Sequence, residues 1–314
     1  MRKIAGVLLI LASTATLLFA QNNTNVSGLV FYQYAISDGG SKSGEFEINR
    51  AYLTVSRNLS DELSVKFQTD VGRMKNDPSN PHLFVYLKNA KVDYKVGQGI
   101  LTLGLQGMNM FSVQEKSWDY RHIEKSAMDK YGFSSSADLG IGYSAKLMGK
   151  LNTSVLLTNG AGYKKPENDD YKKLSLQAYL GDGKISKDRS FNIGGVMSYE
   201  KYDVNADTVG SVTVLGGFAA GVMGPVKFGA EIDTKIDSEV EDNELIISTY
   251  GDFTVMENLK VFGRFDRAGS VDNFSNYVIA GVKYTPAKGL DISPNVKIMD
   301  DVDPTYALNF QVKF

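Results

Sequence analysis

The chain has 314 residues, of which 43% are hydrophobic, and its 34 basic and 36 acidic residues give a formal net charge of −2 at pH 7. This balance excludes a strongly basic nucleic-acid footprint, so no nucleic-acid partner is expected. The absence of cysteine excludes disulfides and thiolate metal sites. Neither a zinc spacing nor a Gly-rich phosphate loop occurs, so no metal and no cofactor are expected.

The first twenty residues have the three parts of a secretory signal peptide. Met1-Arg2-Lys3 is a charged start, Ile4–Phe19 is apolar and uncharged, and Ala20 is a small residue at which cleavage can follow. A membrane anchor helix is the alternative, but the apolar segment is a little short for one. We therefore expect residues 1–20 to be a signal peptide and residues 21–314 to form a domain outside the cytoplasm.

After this segment, apolar and polar residues alternate in short runs that are separated by turn residues. Such alternation predicts strands with one apolar and one polar face. The connections alternate between tight turns and longer loops, as in bacterial barrels whose two ends face different compartments. The sixteen predicted strands are Val26–Ile36, Phe46–Arg57, Leu63–Arg73, Leu83–Val96, Ile100–Gln106, Asp138–Leu147, Leu151–Thr158, Lys172–Leu180, Phe191–Tyr202, Ser211–Val222, Val226–Ile236, Leu245–Val255, Leu259–Arg267, Ser275–Tyr284, Leu290–Met299 and Thr305–Phe314.

The last predicted strand shows the alternation most clearly. From Tyr306 to Phe314 every second residue is aromatic or aliphatic, and the residues between them are polar or alanine. A strand of a soluble β-sandwich is the alternative, but a sandwich does not need so many strands that are each apolar on one face. We therefore predict an all-β fold, a transmembrane antiparallel β-barrel of about sixteen strands.

The same alternation turns many charged residues toward the inside of the predicted barrel. Where Val65, Phe67 and Val71 face lipid, Lys66 and Asp70 face inward. A lone charge facing lipid at mid-membrane would cost roughly 2–4 kcal/mol, so these charges are expected to line a water-filled channel. The pore-lining candidates are Arg50, Lys66, Asp70, Lys91, Lys95, Lys227, Glu231, Lys260, Arg264 and Asp266. Further residues with the same direction are Asp93, Lys146, Lys173, Glu200, Asp233, Lys235, Lys283 and Lys297.

Lysine and arginine outnumber aspartate and glutamate among these inward residues. A ring of basic charge in a pore favours anions, although pairing of a residue such as Arg264 with a carboxylate would cancel part of the field. The outer loops are acidic instead, notably Glu239–Asp242 and Asp300–Asp303. The second group could bind Ca²⁺, but a solvated rim that contacts lipopolysaccharide through divalent ions is favoured.

One stretch, Gly107–Ala137, interrupts the alternation for about thirty residues, which is long for a connection. It contains Trp118, the single tryptophan of the chain. Lys116–Tyr131 has roughly helical spacing, with Ser117 or Asp119 as candidate N-caps. We predict that this third outer loop folds into the barrel and narrows it, the alternative being an outer lid or a subunit contact. Its candidate constriction residues are Lys116, Arg121, His122, Glu124, Lys125 and Lys130.

Six short stretches carry a family pattern: Phe46–Leu53, Gln68–Gly72, Gly104–Gln106, Arg121–Glu124, Leu157–Gly160 and Arg264–Asp266. They resemble the phosphate-selective porin O and P family, and the similarity extends over most of the chain after the signal peptide. The resemblance implies a sixteen-stranded outer-membrane channel of a Gram-negative-type bacterium, usually a homotrimer, for small hydrophilic solutes or anions such as phosphate. The lysines that bind phosphate in that family have no matched positions in this sequence.

Two other classes of function compete with a diffusion channel. An enzyme in the barrel wall would need a histidine beside a serine or aspartate, and the two histidines, His82 and His122, lie in predicted loops without a recognisable nucleophile. A structural or adhesive barrel without transport would have long loops and a plugged interior, whereas most predicted loops are short. We therefore predict a non-enzymatic porin in the cell outer membrane that conducts solutes by passive diffusion.

Overall fold

A computed structural model describes residues 24–37, 44–73, 82–167, 169–205, 207–270 and 272–314. Within these residues, sixteen antiparallel strands form one closed barrel in which each strand pairs with its sequence neighbours and the last strand pairs with the first. The strands are β1 (Thr24–Ser37), β2 (Glu45–Asn58), β3 (Leu63–Gly72), β4 (Phe84–Val96), β5 (Gly99–Gly107), β6 (Ala137–Leu147), β7 (Leu151–Thr158), β8 (Lys173–Gly181), β9 (Phe191–Asn205), β10 (Thr208–Met223), β11 (Val226–Asp237), β12 (Glu244–Met256), β13 (Leu259–Ser270), β14 (Asn273–Ala287), β15 (Leu290–Met299) and β16 (Val302–Lys313).

The predicted fold class and strand order are confirmed, and the strand boundaries differ by three residues at most. The largest differences occur where two neighbouring strands stay paired closer to their connecting turn than predicted. β16, for example, starts at Val302 rather than Thr305. Antiparallel pairing continues to very tight turns there, because Ser270 pairs with Asn273 and Met299 pairs with Val302. The predicted signal peptide, residues 1–20, lies outside the described residues.

The barrel closes where β1 pairs with β16. The Gly28 N–H donates to the Phe314 carbonyl at 3.0 Å, and the Phe314 N–H donates to the Gly28 carbonyl at 3.1 Å. Gly28 has no side chain, which leaves the space that the Phe314 ring occupies. We call this end of the barrel, where the short turns lie, the inner end, and the opposite end, where the longer loops lie, the outer end.

The outside of the barrel is apolar and carries aromatic residues toward both ends. Outward-facing aliphatic side chains such as Leu103, Leu176, Ile232 and Val261 are each at least 42% exposed. The aromatic residues near the inner end are Tyr94, Tyr143, Phe191, Phe228, Phe253 and Tyr284, and those near the outer end are Phe46, Tyr199 and Tyr306. An apolar belt between two aromatic girdles is typical of a barrel that spans a membrane.

The third outer loop, residues 108–136, folds into the barrel as predicted, and we call it the inward loop. It contains two short helices, α1 (Ser112–Trp118) and α2 (Ala127–Lys130), neither of which is long and apolar enough to cross a membrane. The predicted N-caps are wrong, because α1 begins before Ser117 and ends at Asp119. Asp119 has a left-handed φ of 61° and its N–H donates to the Glu115 carbonyl, a C-cap geometry that aspartate tolerates.

Two apolar clusters hold the inward loop against one side of the wall. In the first, Met110, Phe111, Val113, Ala127, Met128 and Phe133 pack on Val196, Val214, Phe218, Ile246 and Ala268. In the second, Trp118, Tyr120 and Ile123 pack on Tyr250, Phe262, Tyr277 and Ile279. The wall residues lie on β9, β10 and β12–β14, so the loop covers that half of the interior.

A second segment enters the barrel from the inner end. This is residues 182–190 between β8 and β9, which we call the β8–β9 turn. Its Ile185 is only 2% exposed, and Lys184 forms a salt bridge of 3.6 Å with Asp119 of the inward loop. Asn192, next to this turn, donates to the Ser117 hydroxyl at 3.0 Å. The interior is therefore packed from both ends beside β9–β14 and stays open on the opposite side.

Candidate pore

An open cavity of about 940 Å³, which we call the passage, lies between the inward loop and the wall formed by β3–β8. It extends from Arg121 and Ser136 of the loop to Gly97 in the turn between β4 and β5, which is at the inner end. One carboxylate, Glu115, is found among its described lining residues. Its six basic lining residues are Lys66, Lys91, Lys95, Lys116, Arg121 and Lys146.

Only two of these six cations, Lys91 and Arg121, have a carboxylate partner in the described residues. Lys91 forms a salt bridge of 2.8 Å with Asp93, and Lys95 donates to the Asp61 carbonyl at 2.7 Å. Lys66, Lys116 and Lys146 have no salt-bridge partner within the described part of the chain. Because an unpaired cation acts on ions in the adjacent water, the potential in the cavity is positive.

Lys88 also points into the barrel, although alternation from Lys91 places it outside. Asn89 pairs with Gln68 and Leu87 pairs with Thr69, so Lys88 is the extra residue of a β-bulge. Lys88 and Asn89 consequently both lie inside, and Lys88 is 3% exposed. The sequence contains a signal of the bulge: the outward apolar residues change from odd positions before Lys88 to even positions after it.

Lys88 and Arg50 form a basic group near the outer end of the passage. Lys88 donates to the Ser136 hydroxyl, and its Nζ lies 3.6 Å from the centre of the Tyr163 ring. Arg50 approaches Asp70 at 3.6 Å, and this carboxylate also accepts a hydrogen bond of 3.1 Å from Tyr86. Arg50 and Asp70 were both predicted to line the pore. Both face the interior, where their charges are paired.

Two of the predicted constriction residues, Lys116 and Arg121, line the cavity, and a third, Lys125, shares Asp129 with Arg121. Arg121 is held between Glu115 at 2.9 Å and Asp129 at 3.2 Å, and Lys116 projects into the cavity. Lys125 is half-exposed and approaches Asp129 at 3.5 Å. Burial raises the pKa of Glu115 above its ordinary value, although Arg121 opposes this shift.

The other three predicted constriction residues attach the loop to the wall instead of facing the passage. His122 is 2% exposed and its Nε2 lies 2.9 Å from the Ser293 hydroxyl. Glu124 accepts a hydrogen bond of 2.7 Å from Tyr277 and approaches Lys297 at 3.5 Å and Lys130 at 3.7 Å. Lys130 also lies 3.8 Å from the centre of the Tyr277 ring.

The surroundings of His122 and Glu124 shift their pKa values downward for different reasons. Burial disfavours the imidazolium and lowers the pKa of His122 to about 4. Burial alone would raise the pKa of Glu124, but Lys297, Lys130 and the Tyr277 hydroxyl outweigh it and lower that pKa to about 2. At neutral pH the loop is thus anchored by a neutral histidine and an ionised glutamate.

The predicted pore residues on β11 and β13 face inward, where the inward loop covers all of them except Lys260, whose side chain is 32% exposed. Lys227 and Lys260 share Asp252 at 2.8 and 3.0 Å. Lys227 also donates to the Trp118 carbonyl at 3.1 Å, so this cation bonds directly to the loop. Sequence reasoning could not place the loop over these strands, because the contacts join residues that are more than a hundred positions apart in the chain.

Arg264, Asp266 and Glu231 form a second covered group. Arg264 and Asp266 make a buried ion pair of 2.6 Å, and Arg264 also donates to the Lys125 carbonyl. The Ala127 N–H donates to Glu231 at 3.3 Å. The charges of Arg264 and Asp266 neutralise one another within their contact, so this pair attaches the loop and adds little to the field in the passage.

The pair of His122 and Ser293 has the distance of a catalytic pair but not its accessibility. Ser293 is fully buried, and the second ring nitrogen of His122 has no hydrogen-bond partner within the described residues. A hydrolase would need an exposed nucleophile and a third residue that orients the histidine. In the described ranges no group of three metal-binding side chains occurs. Asp300, of the acidic group considered for Ca²⁺, instead accepts two hydrogen bonds, of 2.8 and 2.9 Å, from Asn276.

No protein-family model matches the sequence, and no curated protein is significantly similar to it. Solved barrels match nearly the whole chain. OprB of Pseudomonas putida, at high pH, has a TM-score of 0.70 and 10% identity, covering 93% of this chain and 94% of its own. The anion-selective porin from Comamonas acidovorans has a TM-score of 0.66 and 10% identity, with coverages of 93% and 99%.

A third solved structure is the trimer form of OmpT, an outer membrane protein of Vibrio cholerae. It has a TM-score of 0.67 and 13% identity, covering 93% of this chain and 99% of its own. At such low identities the likeness is one of fold. The chain therefore has the closed sixteen-stranded barrel fold that is found in outer-membrane porins.

Proposed function

We propose that the protein is a porin in the outer membrane of a Gram-negative-type bacterium and lets small hydrophilic solutes diffuse passively through its passage. Two features support this function. The exterior has the apolar belt and aromatic girdles that suit a bilayer, and the interior retains a polar cavity of about 940 Å³. A barrel with about sixteen strands is wide enough for an aqueous channel even when a loop occupies part of it.

The channel prefers anions, and the observation that carries this proposal is the composition of the passage wall. Six basic residues and one carboxylate line it, and four of the six, Lys66, Lys95, Lys116 and Lys146, have no ion-pair partner in the described residues. Basic rings in a pore concentrate anions and repel cations. Phosphate is the anion to test beside chloride, since the sequence resembles the phosphate-selective porin O and P family.

The same function implies particular partners. A homotrimer is supported by the trimer form of the Vibrio cholerae barrel with the same fold. The acidic outer turns, such as Glu239–Asp242, would contact lipopolysaccharide through divalent cations. No catalytic step is part of the proposal, because the buried His122–Ser293 pair is not accessible to a substrate.

A structural barrel that transports nothing is the second candidate. The observation that favours it is the filling of the interior from both ends, by the inward loop and by the β8–β9 turn. The open cavity along β3–β8 favours the channel instead. The two functions differ directly in ion conductance, so one type of experiment separates them.

The test is the reversal potential of the purified protein in a planar bilayer under a KCl gradient. The wild type should conduct, and the sign of the potential should show that chloride permeates more readily than potassium. The variant Lys66→Gln/Lys116→Gln/Lys146→Gln should lose most of this preference. Lys201→Gln is the matched control, because Lys201 is an exposed lysine on the outside of β9 and should leave selectivity unchanged.

Each result of this experiment has a distinct meaning. Absence of conductance in folded protein would replace the channel with the structural barrel. Conductance with a preference for potassium would refute the anion preference and leave the channel. A triple variant that behaves like an anion-preferring wild type would refute the assignment of this preference to the three lysines. Competition by phosphate for chloride current would support the phosphate-like substrate.

A further inference from the structure

Arg57 is a basic residue on the apolar outside of the barrel, near its inner end. Ser56 pairs with Lys66 and Arg57 pairs with Val65, so Arg57 lies on the opposite side of the sheet from the inward-facing Lys66. Its position is the last but one of β2, beside the turn to β3. An arginine at this height sits at the edge of the apolar belt, where polar and hydrocarbon surroundings meet.

An apolar groove of about 440 Å³ lies next to Arg57 on the same outer surface. Ala90 forms its floor, because this small residue pairs with Phe67 on one side and Leu105 on the other. The larger outward side chains around the groove are Val55, Val65, Phe67, Val92 and Leu103. The groove crosses four strands, β2 to β5, which at about 4.8 Å per strand spacing makes it roughly 15 Å wide.

The Arg57 guanidinium has no partner of its own in the described part of the chain. Its Nε is buried and makes no hydrogen bond, and the side chain forms no salt bridge there. Arginine stays charged, and its planar group of donors suits a phosphate, which can accept two parallel hydrogen bonds. A guanidinium charge without an ionic partner at the edge of the apolar belt therefore offers a place for an anionic group from outside the chain.

We propose that this groove binds an anionic phospholipid, with the lipid phosphate on Arg57 and one acyl chain lying over Ala90. The inference rests on the membrane location of the proposed porin, but not on its conductance or selectivity. The apolar groove selects a hydrocarbon chain and Arg57 selects a negative headgroup, and such a lipid supplies both in one molecule. A second copy of the barrel would have to bring a carboxylate to Arg57 within an otherwise apolar contact.

Native mass spectrometry of the purified full chain tests the site, with phosphatidylglycerol and phosphatidylethanolamine added separately as probes. The wild type should retain one phosphatidylglycerol per chain in preference to phosphatidylethanolamine. Arg57→Gln should weaken retention of phosphatidylglycerol roughly tenfold, since a charge-assisted hydrogen-bond pair is lost. Ala90→Phe should fill the groove and weaken retention of both lipids.

Controls separate the site from general effects on the surface. Lys201→Gln removes an outward cation near the other end of the barrel, and Ala178→Phe adds bulk to another outward position on β8. Both should retain lipid like the wild type. Arg57→Lys keeps the charge without the planar donor pair and should fall between the wild type and Arg57→Gln. Far-ultraviolet circular dichroism of each variant verifies that the barrel has folded.

Equal retention of the two lipids by the wild type, or unchanged retention by Arg57→Gln, would overturn the proposal. Loss of oligomers in Ala90→Phe without any change in lipid retention would assign the groove to contacts between copies. Bilayer conductance of Arg57→Gln should equal that of the wild type. A barrel that binds phosphatidylglycerol but does not conduct would support this site while refuting the channel.

Discussion

The Lys184 ammonium of the β8–β9 turn lies 3.6 Å from the Asp119 carboxylate of the inward loop, so segments from the two ends of the barrel meet in its interior. Both side chains are more than a third exposed, and such pairs contribute about 0–1 kcal/mol. Ile185 beside Lys184 is buried and provides the larger part of the attachment. The width of the inner end therefore depends on whether this turn stays inside.

Ile185→Glu should release the β8–β9 turn from the barrel. A buried carboxylate without a partner costs several kcal/mol, and the turn avoids this cost by moving into water. We expect larger single-channel conductance in planar bilayers and faster hydrogen exchange in residues 182–190. Ile185→Val is the control and should behave like the wild type. Wild-type conductance and exchange in Ile185→Glu would show that the turn does not restrict the passage.

Lys88→Gln should lower the anion preference without closing the channel. Lys88 stands directly behind the lining residue Ser136, and its charge adds to those of Arg50 and Arg121. A unit charge about 10 Å away through water changes the energy of an ion by about 0.4 kcal/mol, which corresponds to roughly a twofold change in the permeability ratio. Reversal potentials measure this ratio, and an unchanged ratio would mean that Asp70 and other carboxylates fully screen Lys88.

Arg264→Met should destabilise the inward loop, because it leaves Asp266 charged and buried without its partner. Breaking such a pair costs about 3–5 kcal/mol, whereas Arg264→Met/Asp266→Asn should recover most of the loss. Hydrogen exchange in residues 125–131 and thermal unfolding measure both the loss in the single variant and its recovery in the double variant. Arg267→Met, which alters an exposed arginine on the outside of the same strand, should change neither measurement. Equal losses in the single and double variants would contradict this role of Arg264.

Acid should loosen the inward loop in two steps. The folded-state pKa of His122 is lowered from 6.5 to about 4, so its contribution to stability is lost as pH falls through this interval, up to about 3 kcal/mol in total. The folded-state pKa of Glu124 is lowered from 4.5 to about 2, so its contribution is present above pH 4.5 and is lost between these values. Hydrogen exchange of the loop at a series of pH values should follow both steps.

His122→Gln isolates the first step. Glutamine can still hydrogen-bond Ser293 but does not titrate, so the change between pH 6.5 and 4 should disappear in this variant. The change below pH 4.5 should remain, because Glu124 is intact. A pH profile identical to that of the wild type would show that another group governs the first step.

The strands and the direction of most side chains were predictable because a strand has a period of two, which is visible in the sequence. Lys88 escaped this rule because one inserted residue reverses the direction of every later side chain in the strand. The phase change around it was present in the sequence, but it could equally have marked a strand end. The local pattern thus predicted the regular strands of the wall, but not the bulge within one of them.

The arrangement of the interior was not predictable in the same way. The length and composition of Gly107–Ala137 favoured an inward loop, yet nothing local indicated that His122 and Glu124 would face β14 and β15 while Lys116 would face water. These directions depend on contacts between residues far apart in the chain. The entry of Ile185 into the barrel is of the same kind, since one apolar residue in a polar turn is common on protein surfaces.

Ring closure depends on β16 and Phe314, because β16 pairs with β1 and Phe314 exchanges two backbone hydrogen bonds with Gly28. A chain that ends before β16 would leave β1 and β15 each with a row of unsatisfied backbone groups. Unprotected strand edges of this kind template aggregation and pairing with other chains. Closure of the barrel is therefore incomplete until β16 has paired with both of its neighbours, β1 and β15.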